Sequence, residues 1–163
     1  MPDITYNSNA DLDLSGKMMI AVGGVPVAFA TTAKLTLTTD MVDTTNMMSG
    51  DWKDEVPGTK SFTISSEALM TRKTGTVSAD SLIAQQLADT LLDFKFGEFT
   101  RTGDEVAGYT YALDTTKVSY AGKIRITSME LNGESSKLKK YSMNANGCGP
   151  LTTVPADPAV PAG

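Results

Sequence analysis

Few residues of this chain could carry out chemistry, because its 163 residues include no histidine. That absence removes the most common general base, the most common metal ligand and every Ser-His or Cys-His nucleophile pair. The carboxylates of the middle of the chain, Asp89, Asp93 and Glu98, are too scattered to suggest a catalytic pair or a clustered metal site. We therefore predict no catalytic residue, no metal ligand and no cofactor.

The single cysteine, Cys148, can form no disulfide within the chain, which fits folding in a reducing cytoplasm. Without a base to activate it, the sequence favours a buried apolar role for Cys148 over a nucleophile. The stretch 1–10 is polar, so no signal peptide is visible. No apolar run is long enough to suggest a membrane segment.

The charge balance argues against a surface that holds nucleic acid. The chain has 19 acidic and 14 basic residues and a formal net charge of −5, whereas tight nucleic-acid binding needs a basic surface that releases counterions. The only basic cluster is Lys137, Lys139 and Lys140, beside a predicted turn. A solvated strand face is favoured there over a phosphate site.

Alternating polar and apolar residues predict most of the fold. Gly23-Gly24 lies between two apolar runs and predicts a tight hairpin, because glycine tolerates the positive φ of such a turn. The segments 33–39 and 60–70 alternate with period two, with Leu35 and Leu37 on the apolar side of the first. Their opposite sides carry hydroxyl and acidic residues: Thr36, Thr38, Ser61, Thr63, Ser65 and Glu67.

Residues 40–59 break this alternation and predict a long loop, and a loop of that length is usually functional or disordered. The loop contains Met47, Met48 and the only tryptophan, Trp52. Such side chains bury a large area on adaptable contact surfaces, so a docking role is one interpretation. The other is that Trp52 packs against the core of its own chain.

The remaining segments predict one helix and two extended ends. Ser78 is a good N-cap for a helix over about 79–90, whose apolar stripe favours the lid of a core over a groove. A phase slip at Thr127-Ser128 predicts a β-bulge. Residues 1–16 form a polar arm anchored only by Ile4, Leu12 and Leu14. Residues 151–163 form a flexible, proline-rich tail after the domain at 17–150. The fold class is mainly β: a two-sheet sandwich or flattened barrel with one flanking helix.

Three stretches resemble the major tail tube proteins of long-tailed bacteriophages: GKMMIAVGGVPVAFATTAKLTLTTDMVDTT, SGDWKDEVPGTKSFTISSEALM and NANGCGPL. Each short motif is weak alone, and the ordered combination over about residues 16–151 is more specific. The matching elements are Gly16-Lys17, Asp43-Thr44-Thr45, Trp52-Lys53, Pro57-Gly58 and Gly147 to Pro150.

The resemblance implies a structural subunit of the virion tail, assembled in the host cytoplasm. Six subunits would close a ring, and their inner sheets would merge into one barrel that conducts DNA during ejection. Rings would stack through loops and arms, which makes Ile4, Leu12, Leu14, Met47, Met48 and Trp52 the candidates for contacts between subunits. The polar residues of the two alternating strands are candidates for a net negative lumen wall.

The implied partners are further copies of the chain and other tail proteins, such as the tape measure, terminator and baseplate or tip proteins, with DNA only in transit. The competing interpretation is an immunoglobulin-like binding or decoration module on a virion or cell surface. A decoration module would share the sandwich and would stay monomeric at any concentration, whereas a tube subunit would polymerise.

Overall fold

The computed structural model describes residues 17–27, 30–71 and 77–156. These residues form nine strands and one helix, so the predicted mainly β class with a single helix is confirmed. In chain order the elements are β1 (Lys17–Val22), β2 (Val25–Pro26), β3 (Ala30–Asp43), β4 (Glu55–Leu69), α1 (Ala79–Leu87), β5 (Leu92–Asp104), β6 (Gly108–Leu113), β7 (Ser119–Asn132), β8 (Lys140–Gly147) and β9 (Thr152–Val154).

The nine strands form one antiparallel sheet in the order β2-β1-β5-β7-β8-β4-β3, with β6 beside β5 and β9 beside β7. The first turn is the predicted Gly23-Gly24 hairpin, in which both glycines have positive φ (60° and 83°). Pro26, which cannot donate a hydrogen bond to a ladder, lies in the short strand β2 at one end of the sheet.

The sheet folds over on itself into two layers. One layer contains β3, β4, β8 and the C-terminal half of β7, and the other contains β2, β1, β5 and the N-terminal half of β7. The rings of Phe62 on β4 and Phe94 on β5 lie 5.5 Å apart, although two strands separate β4 from β5 in the sheet. The predicted sandwich therefore exists as a single connected sheet, in which β7 takes part in both layers.

The core fills the space between these layers. It contains the buried side chains Ile20, Val22, Val27, Phe62, Ile64, Ala68, Ala79, Leu82, Leu92, Phe94, Phe96, Ile124, Ile126, Tyr141, Met143 and Ala145. Gly147 on β8 leaves room for the Phe62 ring, since a Cβ added at Gly147 would lie 2.3 Å from that ring. The register shift between Ile126 and Ser128 confirms the predicted bulge in β7.

The helix is shorter than the predicted range of about 79–90, since α1 ends at Leu87. Asp89 has a positive φ of 50°, which a helix cannot continue through. At the other end the backbone N–H of Ser78 donates to Ser81 Oγ at 3.0 Å. Leu82 is fully buried, whereas Leu87 is 82% exposed, so only the first half of the expected apolar stripe covers the core.

The predicted long loop at 40–59 is wrong in extent. Strand β3 runs to Asp43 and β4 begins at Glu55, so only 44–54 connects them. The two strands form a hairpin whose outer part, 36–43 and 55–61, is exposed on both faces. Leu37, expected on the buried side, is 59% exposed because it lies where the hairpin leaves the core.

The predicted tail at 151–163 also begins too early. Leu151 packs partly against the core, and Thr152–Val154 form β9, which pairs with residues 119–121 of β7. The apolar Leu151 and the β-branched residues after it explain this extra strand. The predicted N-terminal arm, with Ile4, Leu12 and Leu14, and residues 157–163 lie outside the described residues.

Candidate assembly surfaces

The described residues (17–27, 30–71 and 77–156) bring no three His, Cys, Asp or Glu side chains together in a way that could hold a metal ion. In the same ranges, no helix is long and apolar enough to cross a membrane. The thiol of Cys148 is half-buried. Its hydrogen-bond partner is the carbonyl oxygen of Asn146, at an Sγ–O distance of 4.0 Å.

The tip of the β3–β4 hairpin presents large apolar side chains to solvent. Met47 and Met48 are fully or almost fully exposed, and Trp52 is 84% exposed. Trp52 therefore does not pack on the core of its own chain, which was one of the two interpretations of the sequence. Further down the hairpin, Leu37, Met41, Val42 and Val56 are also exposed, so the whole hairpin carries apolar surface that the described residues leave uncovered.

Hydrogen bonds between side chains and backbone order the turn that carries these residues. The N–H of Thr44 donates to Asp54 O at 2.8 Å, and Thr45 Oγ1 accepts the N–H of Asp54 at 3.0 Å. Hydrogen bonds from Thr45 lower the pKa of the Asp43 carboxyl, which accepts the N–H of Thr45 at 2.8 Å. Asn46 Oδ1 accepts the N–H of Met48. The exposed methionines thus stand on an ordered turn.

The candidate lumen residues lie on one face of the first layer. Thr36 is directly opposite Thr63, and Thr38 is directly opposite Ser61, and residues directly opposite each other in an antiparallel pair share a face. Ser65 and Glu67 follow on the same face with period two. The structure therefore brings all six candidates together: Thr36, Thr38, Ser61, Thr63, Ser65 and Glu67.

This polar face extends over two more strands that the sequence analysis did not connect with it. On β8, Asn146, Asn144 and Ser142 pair with Thr63, Ser65 and Glu67. On β7, Arg125, Ser128 and Glu130 pair in turn with those three β8 residues. The alternation of Tyr141, Met143 and Ala145, all buried, was the signal that could have placed the polar β8 residues outward.

The polar face is rich in hydroxyl and amide groups, and its charges balance. Its acids are Glu67 and Glu130, with Asp40 toward the hairpin tip, and its bases are Lys34, Arg125 and Lys140. Three acids and three bases leave the face without a net charge. Among the described residues, ion pairs join Lys53 to Glu55, Lys117 to Glu98 and Lys137 to Glu134. Lys34 and Arg125 take part in none of these three pairs.

The same four-stranded layer is open at both sides. Strand β3 pairs with β4 on one side and with no strand of the described residues on the other. Strand β7 pairs with β5 only as far as Ile124. Beyond Ile124, β7 pairs with β8 on one side and with no strand of the described ranges on the other, where Gln86 Nε2 of α1 donates to Thr127 O at 3.3 Å. Open edges of this kind are templates for pairing with another chain.

Open edges, a polar sheet face and an exposed apolar hairpin together are typical of a β-sheet subunit that assembles with copies of itself. The sequence profile described as "Phage tail tube protein" matches residues 23–153. The chain belongs to this family, and it is a structural protein of the phage tail tube. Family membership favours this interpretation over the decoration module.

Solved structures with the same fold come from related particles. The chain superposes on a protein from the virion of a native gene transfer agent with a TM-score of 0.62 at 14% identity, covering 83% of this chain and 94% of the other. A chain from the tail of an empty gene transfer agent particle with C6 symmetry gives 0.62 at 15% identity, covering 83% and 93%. The SPP1 tail tube gives 0.57 at 9% identity, covering 84% and 77%. No curated protein sequence matches the chain.

Proposed function

We propose that six copies of this chain close into a ring whose lumen conducts DNA during ejection. The observation that carries this proposal is the four-stranded layer β3-β4-β8-β7, which is open at both sides. Pairing the β3 edge of one copy with the β7 edge of the next would satisfy the backbone groups that no strand pairs within one copy, apart from Thr127 O, which already accepts a hydrogen bond from Gln86 of α1. Because the layer has an even number of antiparallel strands, the new pair is antiparallel as well, and the alternation continues around the ring.

The size of such a ring suits a duplex. Six copies supply 24 strands, which at ~4.8 Å spacing give a circumference of about 115 Å and a diameter of at least ~37 Å. Side chains narrow this bore and still leave space for DNA. The number six is supported by the gene transfer agent tail of the same fold, which is described with C6 symmetry.

The polar face is our candidate for the lumen wall. Its opposite side is buried in the core, so this face is the one that a closed ring can turn toward DNA. Each phosphate that a wall lysine neutralised would release counterions and add a salt-dependent hold. A wall of hydroxyls and amides whose few bases are matched by acids would give DNA few such contacts, so that it slides without being held.

Rings would stack through the exposed hairpin tip and the N-terminal arm. We assign Met47, Met48 and Trp52 to contacts with a copy in the adjacent ring, because an aromatic and two methionines gain most when a partner covers them. Ile4, Leu12 and Leu14 would take the same role in the arm. The ordered turn lowers the entropy cost of this docking.

Other tail proteins would bind the ends of the tube. Structures of the same fold include the tube-terminating cap of the anti-feeding prophage and a sheath/tube terminator of an extracellular contractile injection system. By analogy, a terminator, a tape measure protein and baseplate or tip proteins are partners of this chain. Assembly would take place in the host cytoplasm, before the tail joins the virion.

Electron microscopy of the concentrated protein tests the proposal, with tubes of uniform width and sixfold end views as the expected result. A strictly monomeric sedimentation profile over a wide concentration range would exclude it. Two variants test the edge, Thr36→Pro and Leu37→Pro, because consecutive N–H groups of a strand point to opposite sides. In the variant that keeps the parental melting temperature, the N–H lost to proline is the one that faces the open edge. That variant should form no rings.

A further inference from the structure

The two ends of the layer β3-β4-β8-β7 carry opposite charges. One end, the acidic tip, is the end of the β3–β4 hairpin at residues 43–55, where four acids and one base give a net charge of −3. The other end, the basic turn, consists of residues 133–140 between β7 and β8, where three bases and one acid give a net charge of +2. All of these charged residues are exposed.

Most of this charge has no partner of opposite sign. Each end contains one internal ion pair, Lys53 with Glu55 in the acidic tip and Lys137 with Glu134 in the basic turn. The other charged residues of the two ends form no ion pair within the described ranges: Asp43, Asp51, Asp54, Lys139 and Lys140. Their charges are therefore available to another molecule.

The acidic tip and the basic turn of one chain are too far apart to meet. Along β4, Glu55 belongs to the acidic tip, whereas Leu69 is directly opposite Lys140 of the basic turn. Positions 55 and 69 of this strand lie roughly 45 Å apart at about 3.3 Å per residue. The acidic tip can therefore contact the basic turn only of a different copy.

In the proposed ring these two ends form opposite rims. The strands of a closed barrel run from one rim to the other, so the acidic tips line one rim and the basic turns line the other. Rings stacked tip to tip would bring two negative rims together, whereas tip on turn brings opposite charges together. Such a contact between two different surfaces repeats without closing, as a tube requires.

The basic turn also offers an apolar contact. Leu138 lies between Lys137 and Lys139 and is exposed. The backbone supports this part of the turn, since the N–H of Lys137 donates to Glu134 O at 3.4 Å. An apolar side chain flanked by lysines complements a tip on which Trp52 is exposed beside acids.

We infer that the basic turn of one ring receives the acidic tip of the next ring. Trp52 would cover Leu138, and the acids on either side of it would face the lysines. This inference rests on the proposed function and names the surface on which the hairpin tip docks. It also gives a role to the lysine cluster, for which the sequence alone favoured a solvated strand face.

Charge reversal of either end tests this contact. A turn variant, Lys137→Glu with Lys139→Glu, changes the basic turn from +2 to −2. A tip variant, Asp51→Lys with Asp54→Lys, changes the acidic tip from −3 to +1. Each variant brings like charges together, so single rings should remain and the critical concentration for tubes should rise at least about tenfold, because six such contacts act together at each junction.

The chain that carries all four substitutions has opposite charges at the junction again, and it should recover tubes. The matched control is Lys95→Glu with Lys123→Glu, which makes the same change in net charge on exposed strand residues away from both ends. The control should assemble like the parent. Salt gives a further measurement, because screening should raise the critical concentration of the parent and lower that of the turn variant.

Electron microscopy and sedimentation distinguish the outcomes. Parental assembly by the turn and tip variants, an equal defect in the control, or no recovery in the fourfold variant would overturn this contact and leave the tube function standing. A salt dependence of the same sign in the parent and the turn variant would overturn it as well. Failure of the unaltered chain to form tubes would overturn the proposed function and this contact with it.

Discussion

The rings of Phe62 and Phe94 lie 5.5 Å apart at an interplanar angle of 39°, although two strands separate their own strands in the sheet. In a flat sheet, three strand spacings would separate the backbones of the two residues by about 14 Å. The contact therefore indicates that the sheet folds over and brings the inner faces of β4 and β5 toward each other. It closes the core at the point where β7 passes from one layer to the other, and the missing side chain of Gly147 makes room for it.

Gly147→Ala should destabilise the fold. A Cβ at this position would lie 2.3 Å from the Phe62 ring, and overpacking of a core typically costs about 1–3 kcal/mol of unfolding free energy. Gly133→Ala is the matched control, since nothing lies within 4 Å of its added Cβ. Urea unfolding of both variants checks the prediction, and equal stability of the two would show that the Phe62 ring moves aside at little cost.

Tyr141→Phe should make the protein more resistant to alkali. Burial raises the pKa of Tyr141 to about 12 from its ordinary value of 10.0, and the hydroxyl has no hydrogen-bond partner among the residues that the structure describes. The neutral form is thus favoured in the folded state. Its contribution to stability is complete below pH 10 and is lost as the pH rises through about 12.

The phenylalanine variant should therefore keep its stability between these pH values, where the parent loses up to about 2–3 kcal/mol. At neutral pH the change should be neutral or slightly stabilising, because it removes an unpaired buried hydroxyl. Unfolding curves at pH 7 and at several values between 10 and 12 check both statements. Equal alkaline losses in the two proteins would mean that Tyr141 does not control this transition.

Period-two alternation predicted the inner parts of the long strands well, because a half-buried strand must alternate. The apolar side of the alternating segment 60–70 consists of Phe62, Ile64 and Ala68, and all three are buried. The outer hairpin beyond Thr39 was not predicted, because alternation appears only where one face of a strand is buried. From Asp40 to Asp43 both faces are exposed, so no pattern marks that part as a strand, and its pairing with β4 is what holds it extended.

The candidate site was predicted in part. The six polar residues of β3 and β4 do share a face, because strand period and register are coupled. The contributions of β7 and β8 could not be predicted from the local sequence, since strands distant along the chain become neighbours only through the sheet order. Between Gly147, which is opposite Ile124, and Thr152, which is opposite Ala121, the chain has four residues where β7 has two. No local sequence pattern reveals this excess, which shapes a groove lined by Cys148 and Pro150.

Trp52→Ala should weaken assembly and leave the monomer folded. The side chain is 84% exposed, so the monomer has little contact to lose. A buried aromatic anchor at an interface is worth roughly 2 kcal/mol or more. Val106→Ala is the matched control, because Val106 is equally exposed on a turn away from the hairpin. Melting curves and the critical concentration for tubes check the prediction, and a large fall in the monomer's melting temperature would contradict the docking role.

Deleting residues 1–12 should leave a folded protein that no longer stacks into tubes. The described core begins with β1 at Lys17 and uses none of the deleted residues, whereas the proposed arm loses Ile4 and Leu12. Deleting residues 155–163 is the matched control and should change little, because the last strand ends at Val154. Electron microscopy compares the two, and normal tubes from the N-terminal truncation would refute the arm.

Glu67→Lys in all copies should allow tubes to form and should slow or block DNA ejection. Glu67 lies on the polar face in one row with Ser142 and Glu130, so six copies would place six such acids around the lumen. The reversal raises the charge of the face by two in each copy, and each new lysine can contact a phosphate. Screening by salt weakens such contacts, so the defect should be largest at low ionic strength.

The matched control is Glu105→Lys, which makes the same charge change on the exposed turn between β5 and β6. Ejection rates of particles that carry either variant, measured at low and high salt, separate a lumen effect from a change in net charge. A salt-dependent defect in the Glu67 variant alone assigns the polar face to the lumen, because only a group that meets the DNA can hold it. Equal ejection by both variants would place this face outside the channel, and the second layer would then have to supply the wall.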